Sequence, residues 1–181
     1  TPGSSTGAEG SFAIPKEKVA GWVARLQADA EVIAPVMGPG GDEVFQTIGE
    51  PAEVLWDFVN PLDPPKRFLL PQTEPLARIE KRNGSYTVEA LHDDKPRVLL
   101  NVRSCDLKGL LFLRQMHAAD LPDGSFLERF ESFTLVSLAC TIPCPSGFCV
   151  CCGAGPFLEG GFDLQLTDLG DTILAEVGTP K

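Results

Sequence analysis

The sequence predicts a mixed α/β domain with a small mixed sheet, a βαβ unit, terminal hairpins and a Cys-rich loop at the carboxyl ends of the strands. Two apolar runs, at residues 97–102 and 133–138, are typical of strands buried on both faces. Between them, residues 105–117 repeat apolar side chains at helical spacing, so the three segments predict a parallel βαβ unit. A mixed α+β arrangement is the alternative.

Shorter elements are predicted before this unit. Pro15 begins a helix that runs to residue 28, with an apolar stripe that faces the core. Residues 31–36 and 44–48 are expected to be strands on either side of a glycine-rich turn. Residues 67–70, which lie between prolines, are expected to form a short buried strand.

Two hairpins are predicted at residues 76–91 and 162–177. The first has Asn83-Gly84 at its centre, and this pair accepts the positive φ angles of a tight turn. The second alternates apolar and polar residues on both sides of a Gly-Asp turn. Both hairpins would add antiparallel strands to the parallel unit.

The chain of 181 residues is expected to form one domain with short ends of different composition. Residues 1–11, rich in Gly, Ser and Thr, are interpreted as a flexible leader or an engineered remnant. Residues 12–178 form the Cys-rich domain. Residues 179–181 are expected to begin a linker to a further C-terminal domain.

The charge balance excludes several classes of partner. The chain has 15 basic and 25 acidic residues, and its net charge is −10. This acidic balance argues against nucleic acid and against an anionic membrane surface, both of which require a basic face. No apolar run approaches the ~20 residues that span a bilayer, so direct membrane insertion is not expected.

Cysteine is the most informative residue type. Five of the six cysteines fall between Cys140 and Cys152, and the sixth is Cys105. A secreted disulfide framework spreads its bridges along the chain, whereas this clustering indicates a metal or cluster site in a reducing compartment. We therefore expect a cytoplasmic protein.

The βαβ prediction brings these cysteines together. Its strands end just before Cys105 and Cys140, and the carboxyl ends of parallel strands share one edge of a sheet. The Pro- and Gly-rich loop can fold Cys149 and Cys151 over the same point, which gives the four thiolates that an iron–sulfur cluster needs. The helix N-terminus at Cys105 favours a thiolate, and Arg103 can face the anionic cluster or form a plain salt bridge.

Three alternatives to a cluster stay open. The same sulfurs can bind a structural Zn²⁺ in a scaffold or docking module, although zinc sites usually use two Cys-x2-Cys pairs, which this spacing lacks. A thiol–disulfide redox protein would use Cys144/Cys149 or Cys151/Cys152, but adjacent cysteines form only strained bridges. Buried structural thiols are the third interpretation.

Other residue types give weak signals. His92 and His117 are interpreted as surface residues, and Glu74 as a turn carboxylate. The sequence shows no convergent acid–base pair, nucleophile or nucleotide-binding loop. We therefore expect a non-catalytic subunit that relays electrons within a redox complex.

Four ordered blocks resemble a known family. They are PKRFLLPQTE at residues 65–74, VRSCDL at 102–107, CT with CVC at 140–151, and GAGP with GFDL at 153–164. The family comprises the iron–sulfur β subunits of soluble NiFe hydrogenases and sulfhydrogenases, together with the A subunit of anaerobic sulfite reductase. The resemblance runs from about residue 65 to residue 174.

The resemblance implies a [4Fe–4S] cluster whose ligands are Cys105, Cys140, Cys149 and Cys151. Cys144 and Cys152 rank as substitutes, because the loop before Cys149 is longer and the segment after Cys151 shorter than in the family. The resemblance also implies electron relay between a flavin- or nucleotide-handling subunit and a catalytic subunit. Partners would be these subunits and a ferredoxin-like C-terminal domain.

Overall fold

Nine strands and three α-helices make up the part of the chain that the computed structural model describes, residues 10–93 and 95–178. The strands are β1 (Ser11–Pro15), β2 (Glu31–Met37), β3 (Glu43–Thr47), β4 (Ala77–Arg82), β5 (Ser85–Ala90), β6 (Arg97–Arg103), β7 (Phe133–Leu138), β8 (Leu164–Asp168) and β9 (Thr172–Val177). The helices are α1 (Lys16–Asp29), α2 (Ser104–His117) and α3 (Gly124–Glu131). This composition confirms the predicted mixed α/β class.

Seven of the strands form one mixed sheet, in the order β1-β9-β8-β7-β6-β2-β3. The four central strands, β8, β7, β6 and β2, are parallel to one another. The outer pairs are antiparallel. β6, α2 and β7 are the predicted βαβ unit, so the carboxyl ends of β6 and β7 meet at one edge of the sheet.

Apolar side chains pack on both faces of this sheet. One core layer, on the α1 side, includes Val98 and Leu100 of β6. The other layer, on the side of α2 and α3, includes Leu99 and Val102 of the same strand. Burial on both faces is the reason that β6 is an almost continuous apolar run.

The α-helices are short. α1 and α2 have 14 residues each, and α3 has 8. Among residues 10–93 and 95–178, no helix is both long enough and apolar enough to cross a membrane.

A β-bulge interrupts β6 at Asn101. The register with β7 shifts between Leu99 and Val102, so β6 holds one residue more than its neighbour over this stretch. Asn101 has a φ of 59° and is fully buried, and its Nδ2 donates to the Leu55 carbonyl at 3.0 Å. The extra residue reverses the alternation of the strand, which places Val102 on the same face as Leu99.

The predicted strand at residues 67–70 is wrong. Pro65–Phe68 instead form a 3₁₀ helix. Pro64 and Pro65 fix their own φ angles, and Pro65 occupies the first turn, where its missing N–H costs no hydrogen bond. The apolar residue Leu69 is fully buried, as expected, but from a helical turn.

β1 and α3 have no counterpart among the predicted elements. α3 begins after Asp123, whose carboxylate accepts a hydrogen bond from the Phe126 amide at 3.1 Å. Ser11, the last residue of the predicted leader, lies in β1 opposite Glu176 of β9. Residues 1–9 of that leader and residues 179–181 of the predicted linker lie outside the described residues.

Both predicted hairpins are present. β4 and β5 pair around Asn83 and Gly84, whose φ angles are 49° and 81°. β8 and β9 pair at the end of the described chain, and β8 also pairs with β7 in parallel. This parallel pairing means that the Cys-rich loop connects two neighbouring parallel strands.

Candidate functional site

The Cys-rich loop is the crossover from β7 to β8. It leaves the carboxyl end of β7, forms a 3₁₀ helix at Cys149–Cys152, and returns to the amino end of β8. A parallel neighbour can be reached only by such a return. The loop therefore begins at the same edge of the sheet as α2, whose second residue is Cys105.

The carbonyl of Pro156 ties the loop to this edge. It accepts hydrogen bonds from the Cys140 amide at 2.9 Å and from the Ser104 hydroxyl at 3.0 Å. Ser104 is the first residue of α2, and Cys140 comes two residues after β7. One carbonyl thus links the end of the loop to the elements that carry Cys105 and Cys140, which lie at the same sheet edge as predicted.

A cleft of about 670 Å³ lies between the loop and α2. Its lining includes five of the six cysteines, namely Cys105, Cys140, Cys144, Cys149 and Cys152. Cys151 is exposed and is not part of the lining. Across residues 10–93 and 95–178, no three His, Cys, Asp or Glu side chains are grouped as they would have to be to hold one metal ion.

Glycine allows the backbone to approach two of these thiols. A Cβ atom at Gly155 would lie 3.0 Å from Cys149 Sγ, and one at Gly147 would lie 3.3 Å from Cys144 Cβ. Real Cβ atoms are rarely so close to other heavy atoms, so larger residues would push the thiols away. The donor set and this close backbone fit a group that is bound by several sulfurs.

The pKa of Cys105 is raised to about 11. The walls of the cleft desolvate the thiol, and the Asp106 carboxylate, Cys140 and Cys144 also raise its pKa. A hydrogen bond from the Asp106 amide acts in the opposite direction. The expected thiolate at the helix N-terminus is therefore wrong for the metal-free chain, and a metal would have to displace the proton.

Cys140 has a raised pKa as well. Burial is the main cause, Cys144 and Cys149 contribute, and the Arg103 guanidinium opposes the rise. Cys144 contributes to the raised pKa of both Cys105 and Cys140, and all three cysteines line the same cleft.

Arg103 is held on the α1 side of the sheet. Its guanidinium donates to the Phe58 carbonyl and lies 4.1 Å from the centroid of the Phe58 ring. Burial raises the pKa of Asp106, and the charge of Arg103 opposes this rise too. The cation thus acts on both Cys140 and Asp106, as a positive charge beside the cleft.

Most of the loop has no charged side chain. Residues 139–158 contain no Asp, Glu, Lys or Arg, although charged residues make up 22% of the chain. Ile142, Phe148 and Val150 line the cleft and are 68–72% exposed. The thiols therefore open onto an apolar surface.

The remaining sequence candidates lie elsewhere. His92 is exposed and contacts Glu128 at 2.6 Å, while the half-buried His117 contacts Asp123 at 3.3 Å. Neither histidine lines the cleft. Glu74 is more than a turn carboxylate, because it forms an ion pair with the buried guanidinium of Arg129.

Two residues that shape the site were not singled out in the sequence. Asn101 sits in the bulge that leads to Arg103, and Gly155 lies against Cys149. The Gly-Ala-Gly-Pro run at residues 153–156 was an available signal for Gly155, since glycine often marks close backbone approach. A single Asn within an apolar strand was the available signal for the bulge.

The comparison with known proteins supports the resemblance. Over 138 residues the chain is 28% identical to sulfhydrogenase 2 subunit beta of Pyrococcus furiosus. The chain is a distant homologue of this hydrogenase β subunit. The match covers 76% of the chain and 39% of the relative, so the chain spans about two fifths of the relative's length.

Two other comparisons gave no match. No family model matches the chain, and no solved structure matches it. The predicted kinship with hydrogenase β subunits is confirmed by the homologue.

Proposed function

We propose that this domain relays electrons within a multisubunit redox complex, through a [4Fe–4S] cluster held in the cleft. The observation that carries the proposal is the set of five thiols in one uncharged cleft at the carboxyl edge of the parallel strands. Kinship with a sulfhydrogenase β subunit supports it independently. Such a cluster supplies reversible one-electron transfer.

The sequence and the shared cleft both support Cys105, Cys140 and Cys149 as three of the ligands. The family resemblance favours Cys151 as the fourth ligand. The structure favours Cys144, because it lines the cleft and its charge acts on both Cys105 and Cys140. Cys152 also lines the cleft and remains a substitute.

The other residues of the site have supporting roles. Arg103 places a positive charge beside Cys140, which favours an anionic group in the cleft. Ile142, Phe148 and Val150 give the cleft an apolar lining beside the thiols. No role in proton transfer or bond making is assigned to these side chains.

The rival functions fit the site less well. A thiol–disulfide enzyme requires a reactive cysteine with a low pKa, and Cys105 and Cys140 are not such thiols because their pKa values are raised. Of the two candidate redox pairs, Cys151/Cys152 are adjacent in sequence and form only strained bridges. A structural zinc site usually uses two Cys-x2-Cys pairs, and the spacing of these six cysteines does not contain two such pairs.

Metal analysis after anaerobic preparation tests the proposal. We expect iron and acid-labile sulfide in equal amounts, together with visible thiolate-to-iron absorbance. Zinc at one ion per chain, with no iron, would contradict the electron relay and favour a zinc-stabilised scaffold. Rapid alkylation of a native thiol at neutral pH would favour the thiol enzyme.

A matched pair of variants identifies the fourth ligand. Cys144→Ser and Cys151→Ser remove the same atom from the same loop. If Cys144 is the ligand, Cys144→Ser loses most of its iron and Cys151→Ser keeps it, with Cys105→Ser as the control for ligand loss. The opposite result would assign Cys151 in its place.

The proposal extends to the setting of the domain. It would receive and pass on electrons between a flavin- or nucleotide-handling subunit and a catalytic subunit, in the cytoplasm. Residues 11–178 would act as one unit, joined through residues 179–181 to a ferredoxin-like domain. Purification of the whole complex, with its subunits identified by mass spectrometry, tests this part.

A further inference from the structure

The β4–β5 hairpin forms a separate two-stranded sheet. Its strands pair with each other and are not part of the seven-stranded sheet. All six residues of each strand are exposed. Two-stranded ribbons are only marginally stable alone in water, so a ribbon exposed on both faces is an unusual feature of a folded domain.

The register divides the ribbon into two different faces. Residues directly opposite in an antiparallel pair share a face, and faces alternate along each strand. One face is largely apolar and carries the pairs Ala77–Ala90, Ile79–Val88 and Lys81–Tyr86. The other face is polar and carries the pairs Arg78–Glu89, Glu80–Thr87 and Arg82–Ser85.

The apolar face is open to solvent. Ile79, Tyr86 and Val88 are 66–67% exposed. Lys81 lies on the same face, with its ammonium group 5.4 Å from the centroid of the Tyr86 ring. Adjoining apolar side chains that stay this exposed are candidates for contact with another protein.

We infer that the apolar face of this ribbon docks on another protein of the same assembly. The partner would present an apolar strip with a carboxylate placed to meet Lys81. The charge of the docking face supports this partner, since Lys81 is the charged side chain of that face, whereas Arg78 and Arg82 lie on the polar face with Glu89 and Glu80. The inference rests on the proposed multisubunit complex but not on the cluster.

A second copy of the chain fits this face less well. Two six-residue strands cover a footprint of only ~200 Å². A stable interface buries roughly 800 Å² per partner, so two ribbons packed on each other would be too small. Two chains of net charge −10 also repel each other. The same face of a second copy carries no carboxylate for Lys81, since its pairs are Ala77–Ala90, Ile79–Val88 and Lys81–Tyr86.

Site-specific photocrosslinking in the native host tests the inference. A benzoylphenylalanine residue is placed in the full-length protein at position 79 or 88, on the apolar face. The matched controls carry it at position 80 or 87, on the polar face. We expect crosslinks from 79 and 88 to one other protein, at least several-fold stronger than from the controls.

Mass spectrometry of the crosslinked peptide decides between the occupants. An apolar segment that contains Asp or Glu supports the inference. Crosslinks between two copies of the chain, crosslinks within one chain, equal crosslinking from both faces, or no crosslinks at all would overturn it.

A double variant provides a second measurement. Ile79→Thr with Val88→Thr keeps β-branched residues in the ribbon, so the melting temperature and iron content should stay unchanged. Recovery of the partner that crosslinking identified should fall about tenfold or more with this double variant, which carries no crosslinker. Lys81→Glu should also reduce recovery of that partner. Unchanged recovery of the partner would contradict the inference, whereas loss of iron alone would concern only the proposed relay.

Discussion

Asn101 determines the direction of the side chains at the end of β6. Without the extra residue, strict alternation would place Arg103 on the same face as Leu99. With the bulge, Val102 takes that face, and Arg103 lies beside Phe58 on the opposite side. A single residue in a left-handed conformation therefore sets where the positive charge stands relative to the cleft.

The stability of two variants at this position tests the backbone conformation. Asn101→Gly and Asn101→Val both lose the hydrogen bond to the Leu55 carbonyl, but only glycine accepts a positive φ without strain. We expect the valine variant to be less stable than the glycine variant by about 1–2 kcal/mol, as measured by urea unfolding. Equal stability of the two would mean that the bulge is not strained.

The Asp93 carboxylate accepts hydrogen bonds from two arginines, Arg97 and Arg129. The hydrogen bond from Arg97 is the main cause of its lowered pKa, and Arg129, which is almost fully buried, adds to the effect. A lowered pKa stabilises the fold above the unfolded-state value of about 3.9. This stabilisation is lost as the pH falls through the lower folded-state pKa.

Asp93→Asn should reduce the dependence of stability on acid pH. We expect the variant to be less stable than the parent at pH 7, with the difference shrinking as the pH falls below 4. Urea unfolding at several pH values measures this, with the exposed Asp57→Asn as control. A difference that stayed constant down to the lowest pH would exclude the ion pairs as its cause.

Among the elements, the Cys-rich crossover depends on close backbone packing. Gly155→Ala would place a methyl group 3.0 Å from Cys149 Sγ, so the thiol has to move. Gly160→Ala is the matched control in the same loop, because its Cβ would have no neighbour within 4 Å. We expect iron per chain to fall several-fold in the first variant only; equal loss in both would indicate a general loop effect.

Some elements could be predicted from local sequence and others could not. β6 and β7 are recognisable because burial on both faces makes them continuous apolar runs. β1 pairs with β9 at the far end of the chain, and such distant pairing leaves no local signal. At residues 67–70, the apolar pattern was correct for burial, but the preceding prolines favour a turn.

The candidate site was predictable to a similar extent. Cys105 and Cys140 could be placed at one edge of the sheet because they follow two parallel strands, whose carboxyl ends always share an edge. Within an irregular loop, spacing does not say which side chains face inward. The 3₁₀ turn at Cys149–Cys152 leaves Cys151 outside the cleft lining and Cys152 within it.

For the whole molecule, the core and the candidate site are separate. The two core layers contain no cysteine, so the sheet should not need the metal in order to fold. After removal of iron by a chelator, we expect an unchanged far-UV circular dichroism spectrum and a lower melting temperature. Hydrogen exchange should become faster at the Cys140 and Ala154 amides, and global unfolding would contradict the separation.

The pairing of β1 with β9 has a mechanical consequence. Ser11 lies opposite Glu176, and the Val177 amide donates to the Gly10 carbonyl at 3.0 Å, so the two ends of the described chain lie side by side. A force that pulls residues 10 and 178 apart loads the hydrogen bonds of this pair one after another, as in a zipper. A load transmitted through flanking segments would therefore peel off the outer strands at low force, before it reaches the parallel strands that carry Cys105 and Cys140.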